Sequence, residues 1–422
     1  MTSSNSMPLT STRLLRKKYP DAASWWVSAV IYEYHDLLDR QALGELQENW
    51  AYAHRLGADA VLFRPSYLDF DSPSDLNALK DAIKRAKDLG LRTVIRLRGA
   101  TQPQFGPRPE PPRQGQGLEG DADQVLRRGL TAIDSGADLL DLGMFLEYSA
   151  TNPYPDFEQY TKLLRDLEAG AVMRQRETPL AMAASHAYPG SMKWHLEEDW
   201  AHLLRDDRLV TTPFASDEIS TRLTASCKEH ENHGQASGWM VSPPYNRRPY
   251  RDEGLVETWA WNPSAARTLA MTYMAAALPG ALFLRQGDEL GIEESDRDAC
   301  LEMATQISEL ITTTHRSAFE SFTHLLALRK EAQIGIKAFS LVEAPAVAPQ
   351  VLTLLSGSIF VAMNTGNQPF TLPEEYVPIH SSRPNTSNQV LTSRVIDPET
   401  TLWCEVRSPQ TPQRLSAHAP RI

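Results

Sequence analysis

The chain has 422 residues, of which 41% are apolar and 23% are charged. This length exceeds one ordinary domain, and the apolar content excludes a wholly disordered or fibrous chain, so we expect a globular protein with one large and one smaller domain. The formal net charge is −11, which repels phosphate backbones and anionic membrane surfaces. The charge therefore argues against a nucleic-acid partner and against a polyanionic substrate.

The N-terminal segment, the longest uncharged stretch and the cysteines indicate in which cellular compartment the protein is located. Residues 1–24 contain four cations with no apolar segment after them, so they lack the pattern of a signal peptide and are predicted to form a disordered or extended tail. The longest uncharged stretch, Thr268 to Leu284, is short for a membrane span and is interrupted by Pro279 and Gly280, which favours a buried helix followed by a buried strand. Three widely separated cysteines suit neither a disulfide framework nor a metal site. We expect a cytoplasmic protein without a membrane span.

A helix-then-strand unit recurs from residue 29 to residue 284. In its three clearest copies, an amphipathic run ends near Gly57, Gly90 or Gly136 and a short apolar run follows. A left-handed glycine commonly ends a helix, and such an apolar run is typical of a strand covered on both faces. The predicted strands are, in chain order, Ala29 to Tyr34, Ala60 to Phe63, Thr93 to Ile95, Leu139 to Leu140, Pro179 to Ala184, Leu209 to Phe214, Trp239 to Ser242 and Ala281 to Leu284.

Eight strands, each paired with a helix, predict a closed (β/α)8 TIM barrel over residues 25–332, although the count also allows an open doubly wound sheet. After a predicted helix from Arg316 to Lys330, short alternating strands are separated by Ser-Gly and Asn-Thr-Gly turns. This pattern predicts a C-terminal antiparallel β domain over residues 333–422.

The segment from Leu278 to Gly291, LPGALFLRQGDELG, is the most specific motif in the chain. With Ser-Trp-Trp before the first strand and the run from Leu56 to Pro65, it resembles the alpha-amylase superfamily, glycoside hydrolase family 13, in its oligo-1,6-glucosidase and alpha-glucosidase branch. The resemblance covers about residues 25–375. It implies the barrel and β domain predicted above and a role in carbohydrate metabolism, and it implies no cofactor.

The family cleaves alpha-glycosidic bonds with a carboxylate nucleophile and a carboxylic acid placed about 5 Å apart. By resemblance, the nucleophile position falls on Gly143, the acid/base position on Ala184 and the third carboxylate on Tyr245, while the arginine that follows is kept as Arg248. Glycine cannot attack an anomeric carbon and alanine cannot protonate a leaving oxygen. The sequence therefore predicts a catalytically inactive homologue. No two carboxylates are expected to converge at the barrel mouth at retaining distance.

Two further departures concern the third strand. The family motif there falls on Arg96, Ala100 and Thr101, and a calcium ligand is lost at Ala100, so no metal site is expected. Family members place an Asp on strand three near an Arg on strand four, whereas this chain has Arg96 and Asp141 with the charges exchanged. A buried charge without a partner is costly, so we expect a direct ion pair. The Pro-rich segment 102–117 predicts that the folded domain B is absent or reduced to a loop.

Three functional hypotheses remain. The first is an inactive homologue that binds a small carbohydrate or a protein partner, the second is an active hydrolase with relocated carboxylates such as Asp141, Glu147 or Asp69, and the third is an ancillary subunit resembling amino-acid transporter heavy chains. Those heavy chains carry an N-terminal membrane helix, which this sequence lacks. The candidate pocket residues are Tyr32, Arg96, Asp141, Glu147, Tyr245 and Arg248.

Overall fold

The computed structural model describes residues 11–16, 24–97, 122–144, 157–184, 189–197, 201–234, 236–242, 258–260, 263–292, 316–343, 347–383 and 393–407. The strands are β1 (Ser11–Arg16), β2 (Val30–Leu37), β3 (Ala60–Arg64), β4 (Arg92–Arg96), β5 (Leu139–Met144), β6 (Leu180–Ala184), β7 (Leu203–Asp206), β8 (Ala236–Met240), β9 (Ala281–Arg285), β10 (Phe339–Glu343), β11 (Val351–Ser356), β12 (Ile359–Asn364), β13 (Phe370–Thr371), β14 (Tyr376–Ser381), β15 (Val395–Ile396) and β16 (Thr400–Val406). The α-helices of these residues are α1 (Arg40–Leu46), α2 (Trp50–Leu56), α3 (Pro73–Asp88), α4 (Ala122–Ser135), α5 (Phe157–Met173), α6 (Pro189–Glu197), α7 (Ser216–His233), α8 (Ala265–Ala276) and α9 (Arg316–Glu331).

Strands β2 to β9 form a closed parallel barrel in chain order. Parallel pairing of β2 with β9, which sets Val30 beside Leu282, closes the barrel and excludes the open sheet. The three predicted helix stops at Gly57, Gly90 and Gly136 have φ of 100°, 79° and 103°, as a left-handed helix end requires. The prediction of a (β/α)8 barrel is confirmed.

The predicted sixth strand was wrong. The structure places β7 at Leu203–Asp206, and the region predicted as the strand, Leu209 to Phe214, is an irregular segment after it. The physical reason is that half of this four-residue strand is charged, because Arg205 and Asp206 occupy its carboxyl end. Apolar patterning therefore does not reveal this strand and instead favours the next apolar segment, Leu209 to Phe214.

The C-terminal sheet is antiparallel, with the order β1-β10-β11-β12-β16-β14, and β13 pairs with β15 beside it. Strand β1 lies within the segment predicted as a disordered or extended tail and pairs with β10. Apolar side chains on one face of the sheet, including Trp403, belong to the same core as the barrel helices. Trp403 donates its indole N–H to the Tyr273 carbonyl oxygen of α8 at 3.2 Å. The C-terminal antiparallel β domain is confirmed, and it packs on the barrel through α8.

The predicted domain B replacement, residues 102–117, lies outside the described residues. None of the described helices is long and apolar enough to cross a membrane.

A buried histidine joins the β domain to the barrel helices. His380 on β14 is 6% exposed, stacks on Tyr273 with ring centroids 5.5 Å apart, and donates from Nε2 to the Ser321 carbonyl oxygen at 2.8 Å. Burial, followed by the nearby His324, lowers the pKa of His380 from 6.5 to about 4, although the Ser321 carbonyl opposes this shift. The folded protein therefore holds this ring neutral in mildly acidic solution.

The stability of the protein should consequently fall as the pH drops from 6.5 to about 4. In this range the unfolded chain binds a proton at His380 and the folded chain does not, so the free energy of unfolding should fall by up to about 1.4 kcal/mol per pH unit. Urea denaturation at several pH values in this range measures the free energy of unfolding. This free energy should fall less steeply with decreasing pH in His380→Gln than in the unchanged protein. His233→Gln, at the exposed end of α7, is the matched control and should keep the original slope. An unchanged slope in His380→Gln would contradict the prediction.

Candidate functional site

Four charged side chains meet inside the barrel near the carboxyl ends of its strands, and we call them the interior ion network. They are Glu33 on β2, Arg96 on β4, Asp141 on β5 and Arg205 on β7, and they are at most 4% exposed. Because alternate residues of a strand point to the same side, the residues two positions earlier also face inward. These are apolar and fill the layer below: Ile31, Val94, Leu139 and Leu203. The ion network thus caps an apolar barrel interior.

The predicted ion pair between Arg96 and Asp141 is confirmed. The two residues are register partners on adjacent strands. Arg96 donates from Nε at 2.9 Å and from Nη2 at 2.6 Å, and both bonds go to the same carboxylate oxygen, Oδ2 of Asp141. The third guanidinium nitrogen, Nη1, donates to Oε1 of Glu33. Arg96 therefore bridges two carboxylates rather than forming a simple pair.

Glu33 and Arg205 were not predicted as site residues. Arg205 donates from Nη2 to both oxygens of Asp141 at 2.7 and 2.8 Å, and its Nη1 lies 3.5 Å from Oε2 of Glu33. Its guanidinium also lies over the Phe283 ring, with the central carbon 4.1 Å from the ring centroid. Glu33 could have been found from strand alternation, since it follows the inward-facing Ile31 by two residues. Arg205 was missed because its strand was assigned to the wrong residues.

The network has no net charge, because two guanidinium groups match two carboxylates. Burial lowers the pKa of Arg96, but the charges of Asp141 and Glu33 outweigh this and hold the pKa above its usual value. For Arg205, burial dominates and lowers the pKa, with the positive charge of Arg96 acting in the same direction. In the part of the chain that the structure describes, Nε of Arg205 has no hydrogen-bond partner. Arg205 is therefore the less favourably placed cation, and it depends strongly on Asp141.

Asp141 is fully enclosed by its hydrogen-bond partners in this arrangement. It is 0% exposed, Arg96 and Arg205 occupy its oxygens, and its Oδ1 also accepts the backbone N–H of Gly143 at 2.8 Å. Gly143 has φ of 60°, and the pairing of β5 with β6 shifts register between Asp141 and Met144. The strand thus bulges at the residue aligned with the family nucleophile. This left-handed conformation favours glycine over residues with a side chain.

On the next strand, β6, the inward-facing residue is Ala183 rather than Ala184. Ala181 belongs to the interior cluster, so alternation directs Ala183 inward, whereas Ala184 packs in the layer between strands and helices. The register assigned from the family therefore differs by one residue from the observed one. Both residues are buried alanines, so neither position supplies a proton donor.

Tyr32, which the sequence suggested as a pocket candidate, does not point into the barrel interior. It alternates with the inward-facing Glu33 and therefore packs outward against the helices. Its hydroxyl donates to Oε1 of Glu289 at 2.8 Å, and Tyr52 donates to the same oxygen at 2.6 Å. Burial raises the pKa of Glu289, while the two hydroxyl donors oppose the shift. This cluster supports the loop after β9 and holds no group open to a substrate.

The remaining candidates, Glu147, Tyr245 and Arg248, lie outside the described residues. Asp206, the last residue of β7, and Asp288, in the loop after β9, are also carboxylates near strand ends. Asp206 accepts from Ser226 Oγ at 2.6 Å, and Asp288 accepts from Ser242 Oγ at 2.6 Å. Among the described residues, no group of three or more His, Cys, Asp or Glu side chains is arranged to hold a metal ion.

No protein-family model matches the sequence, and no curated protein matches it. Solved structures do match. The trehalose-6-phosphate hydrolase of Bacillus licheniformis has 12% identity and a TM-score of 0.56, over 91% of this chain and 100% of that chain. The alpha-glucosyl transfer enzyme XgtA has 14% identity and a TM-score of 0.60 over 91% and 100%, and Eubacterium rectale Amy13B has 10% identity and a TM-score of 0.59 over 95% and 98%. These structural neighbours are enzymes of the alpha-amylase family, and the likeness establishes that this chain has their fold.

Proposed function

We propose that the protein is a non-hydrolytic counterpart of the alpha-amylase-family enzymes, and that its barrel mouth binds a small carbohydrate or a protein partner without cleaving a glycosidic bond. The observation that carries this proposal is the state of Asp141. This carboxylate lies on the strand that would supply the nucleophile, yet it is fully buried and bound by Arg96 and Arg205. Retaining hydrolysis needs one free carboxylate and one protonated carboxyl group that face the substrate.

The interior ion network does place two carboxylates near each other, because Arg96 binds both Glu33 and Asp141. Both carboxylates are enclosed, with exposures of 4% and 0%, and the guanidinium groups between them exclude a sugar. They therefore differ from an open catalytic pair. They support a structural role in which exchanged charges keep the barrel stable after catalysis has been lost.

A second part of the proposal is a cytoplasmic location. Cys404 is buried and forms no disulfide, which suits a reducing compartment. Burial also raises the pKa of the Cys404 thiol to about 12, so that thiol is unreactive at neutral pH.

The purified chain should release no glucose from maltose, isomaltose, sucrose, trehalose or an aryl alpha-glucoside above the buffer rate. A coupled glucose assay with long incubations measures this, and calorimetric titration of the same sugars tests for binding. Turnover of any of these sugars would contradict the proposal. In that case, Asp69→Asn and Glu147→Gln would identify a relocated carboxylate, because each replacement removes one negative charge. Asp69 is exposed before α3, and asparagine keeps an oxygen that can accept the Asp71 backbone N–H.

A further inference from the structure

A cavity of about 550 Å³ lies at the end of the barrel opposite to the interior ion network, and we call it the basal cavity. Its wall includes residues that precede or begin β2, β3 and β4, among them Ala29, Asp59 and Arg92. The end of α9, with Arg329 and Lys330, lines the other side. The volume is in the range of sites that hold small molecules. All eight barrel strands run in the same direction, so their amino ends lie at one end of the barrel and their carboxyl ends at the other. The basal cavity, at the amino ends, is therefore distinct from the barrel mouth.

The charged groups that line the basal cavity are mostly cationic. Arg92, Arg329 and Lys330 face one carboxylate, Asp59, which lies 2.7 Å from the Lys330 ammonium group. The Arg92 side chain is 49% exposed, and its Nη1 lies 3.8 Å from Oδ1 of Asp138, so this ion pair is weak. An excess of two positive charges therefore remains at this end of a chain whose formal charge is −11. Such a concave cationic surface attracts anions.

Arg329 strengthens this field because its charge is buried. It is 2% exposed, and it donates to three backbone carbonyl oxygens, those of Ala276, Leu278 and Gly280, at 2.6, 2.8 and 2.5 Å. Burial lowers the pKa of Arg329 to about 10, and Asp59 opposes this shift. The hydrogen bonds of the Arg329 guanidinium group thus go to backbone carbonyl oxygens, which are uncharged. Its positive charge is therefore only partly balanced, by Asp59. An anion in the cavity would supply a further counter-charge.

Trp25 adds an apolar wall to this cationic site. Its half-buried ring packs edge-on against Trp26, and the Arg92 guanidinium carbon lies 4.8 Å from its ring centroid. Stacking on an aromatic ring orients a guanidinium group while leaving its N–H donors available. Beside it, Gly90 leaves open space, because a Cβ atom there would meet no atom within 4 Å.

We propose that the basal cavity binds a small organic anion, a carboxylate or a phosphate monoester carried on an apolar or aromatic body. Arg92 and Lys330 contact the anionic group, Arg329 contributes its charge from the wall, and Trp25 covers the apolar part. The chemistry that the site recognises is negative charge next to a planar apolar surface, so an uncharged molecule of the same shape binds poorly.

Calorimetric titration of the full chain with phenyl phosphate and with benzoate tests this, with benzyl alcohol as the uncharged probe. We expect binding of at least one of the two anions and none of the alcohol. Arg92→Ser and Lys330→Ser should each weaken anion binding by about tenfold. Lys193→Ser, on α6 with a side chain 70% exposed, removes the same charge away from the cavity and should leave binding unchanged.

Three outcomes would overturn the proposal: no binding of either anion at millimolar concentration, equal binding of benzyl alcohol, or anion affinities that are the same in both cavity variants as in the unchanged chain. A second measurement covers the case in which a variant fails to fold. The NMR signal of the Trp25 indole N–H in the unchanged chain should shift on addition of the bound anion, and a constant signal would equally contradict the proposed site.

Discussion

Replacing Asp141 with alanine should lower the free energy of unfolding by about 3 to 5 kcal/mol, the largest loss that we expect from a single substitution in this protein. The substitution leaves Arg96 with Glu33 alone and leaves Arg205 with a carboxylate 3.5 Å away. Both guanidinium groups remain buried, so their desolvation cost is no longer balanced. Urea denaturation followed by circular dichroism measures the loss.

Asp134→Ala is the matched control, because the same chemical change is made at a surface ion pair. Asp134 is 55% exposed and lies 2.7 Å from Arg174. Exposed pairs of this kind contribute about 0 to 1 kcal/mol, so the control should remain close to the unchanged protein. A loss at Asp141 no larger than the loss at Asp134 would contradict the role assigned to the interior ion network.

A double-mutant cycle tests whether Arg96 and Asp141 act together. Each of Arg96→Met and Asp141→Ala leaves the network with one unbalanced charge, whereas the double variant retains only Glu33 and Arg205, which balance each other. The double variant should therefore lose less stability than the sum of the single losses, by about 1 to 3 kcal/mol. Additive losses would show that the two residues do not act as a pair.

The second large effect is expected at Gly280, in the turn that leads into β9. Its φ is 105°, and an added Cβ would lie 2.3 Å from the Ser237 carbonyl oxygen. Its own amide donates to Gly335 at 2.7 Å and its carbonyl accepts from Arg329 at 2.5 Å, so the backbone is held on both sides. Gly280→Ala should lower the free energy of unfolding by about 2 to 4 kcal/mol, because strained backbone and overlap with a barrel strand add.

Gly44→Ala is the control for this substitution. Gly44 lies inside α1, and an added Cβ there meets no atom within 4 Å. Alanine is a better helix residue than glycine by up to about 1 kcal/mol, so this variant should be as stable as the unchanged protein or more stable. In thermal and urea unfolding, Gly280→Ala should therefore be less stable than the unchanged protein, whereas Gly44→Ala should not. A Gly280→Ala variant of unchanged stability would show that the turn can relax.

Much of the fold could be predicted from local rules. The helix stops at Gly57, Gly90 and Gly136 located the three barrel strands that follow them, apolar runs located four further barrel strands, and the C-terminal turns located the β domain. The remaining strand, Leu203–Asp206, could not be found in this way, because its carboxyl end carries two charged residues instead of an apolar run. The same rules left open whether the sheet closes, since closure depends on contact between β2 and β9, about 250 residues apart in the chain.

The sequence by itself determined the adjacency of Arg96 and Asp141, because register on neighbouring strands follows from chain order and alternation. The sequence also determined that Gly143, and Ala183 and Ala184 on the next strand, lack ionisable groups. Only the tertiary structure decided that Glu33 and Arg205 complete the network and that Tyr32 faces the helices. The physical reason is that a closed barrel brings non-adjacent strands together across its interior, and charges buried there are stable only where that closure supplies opposite charges.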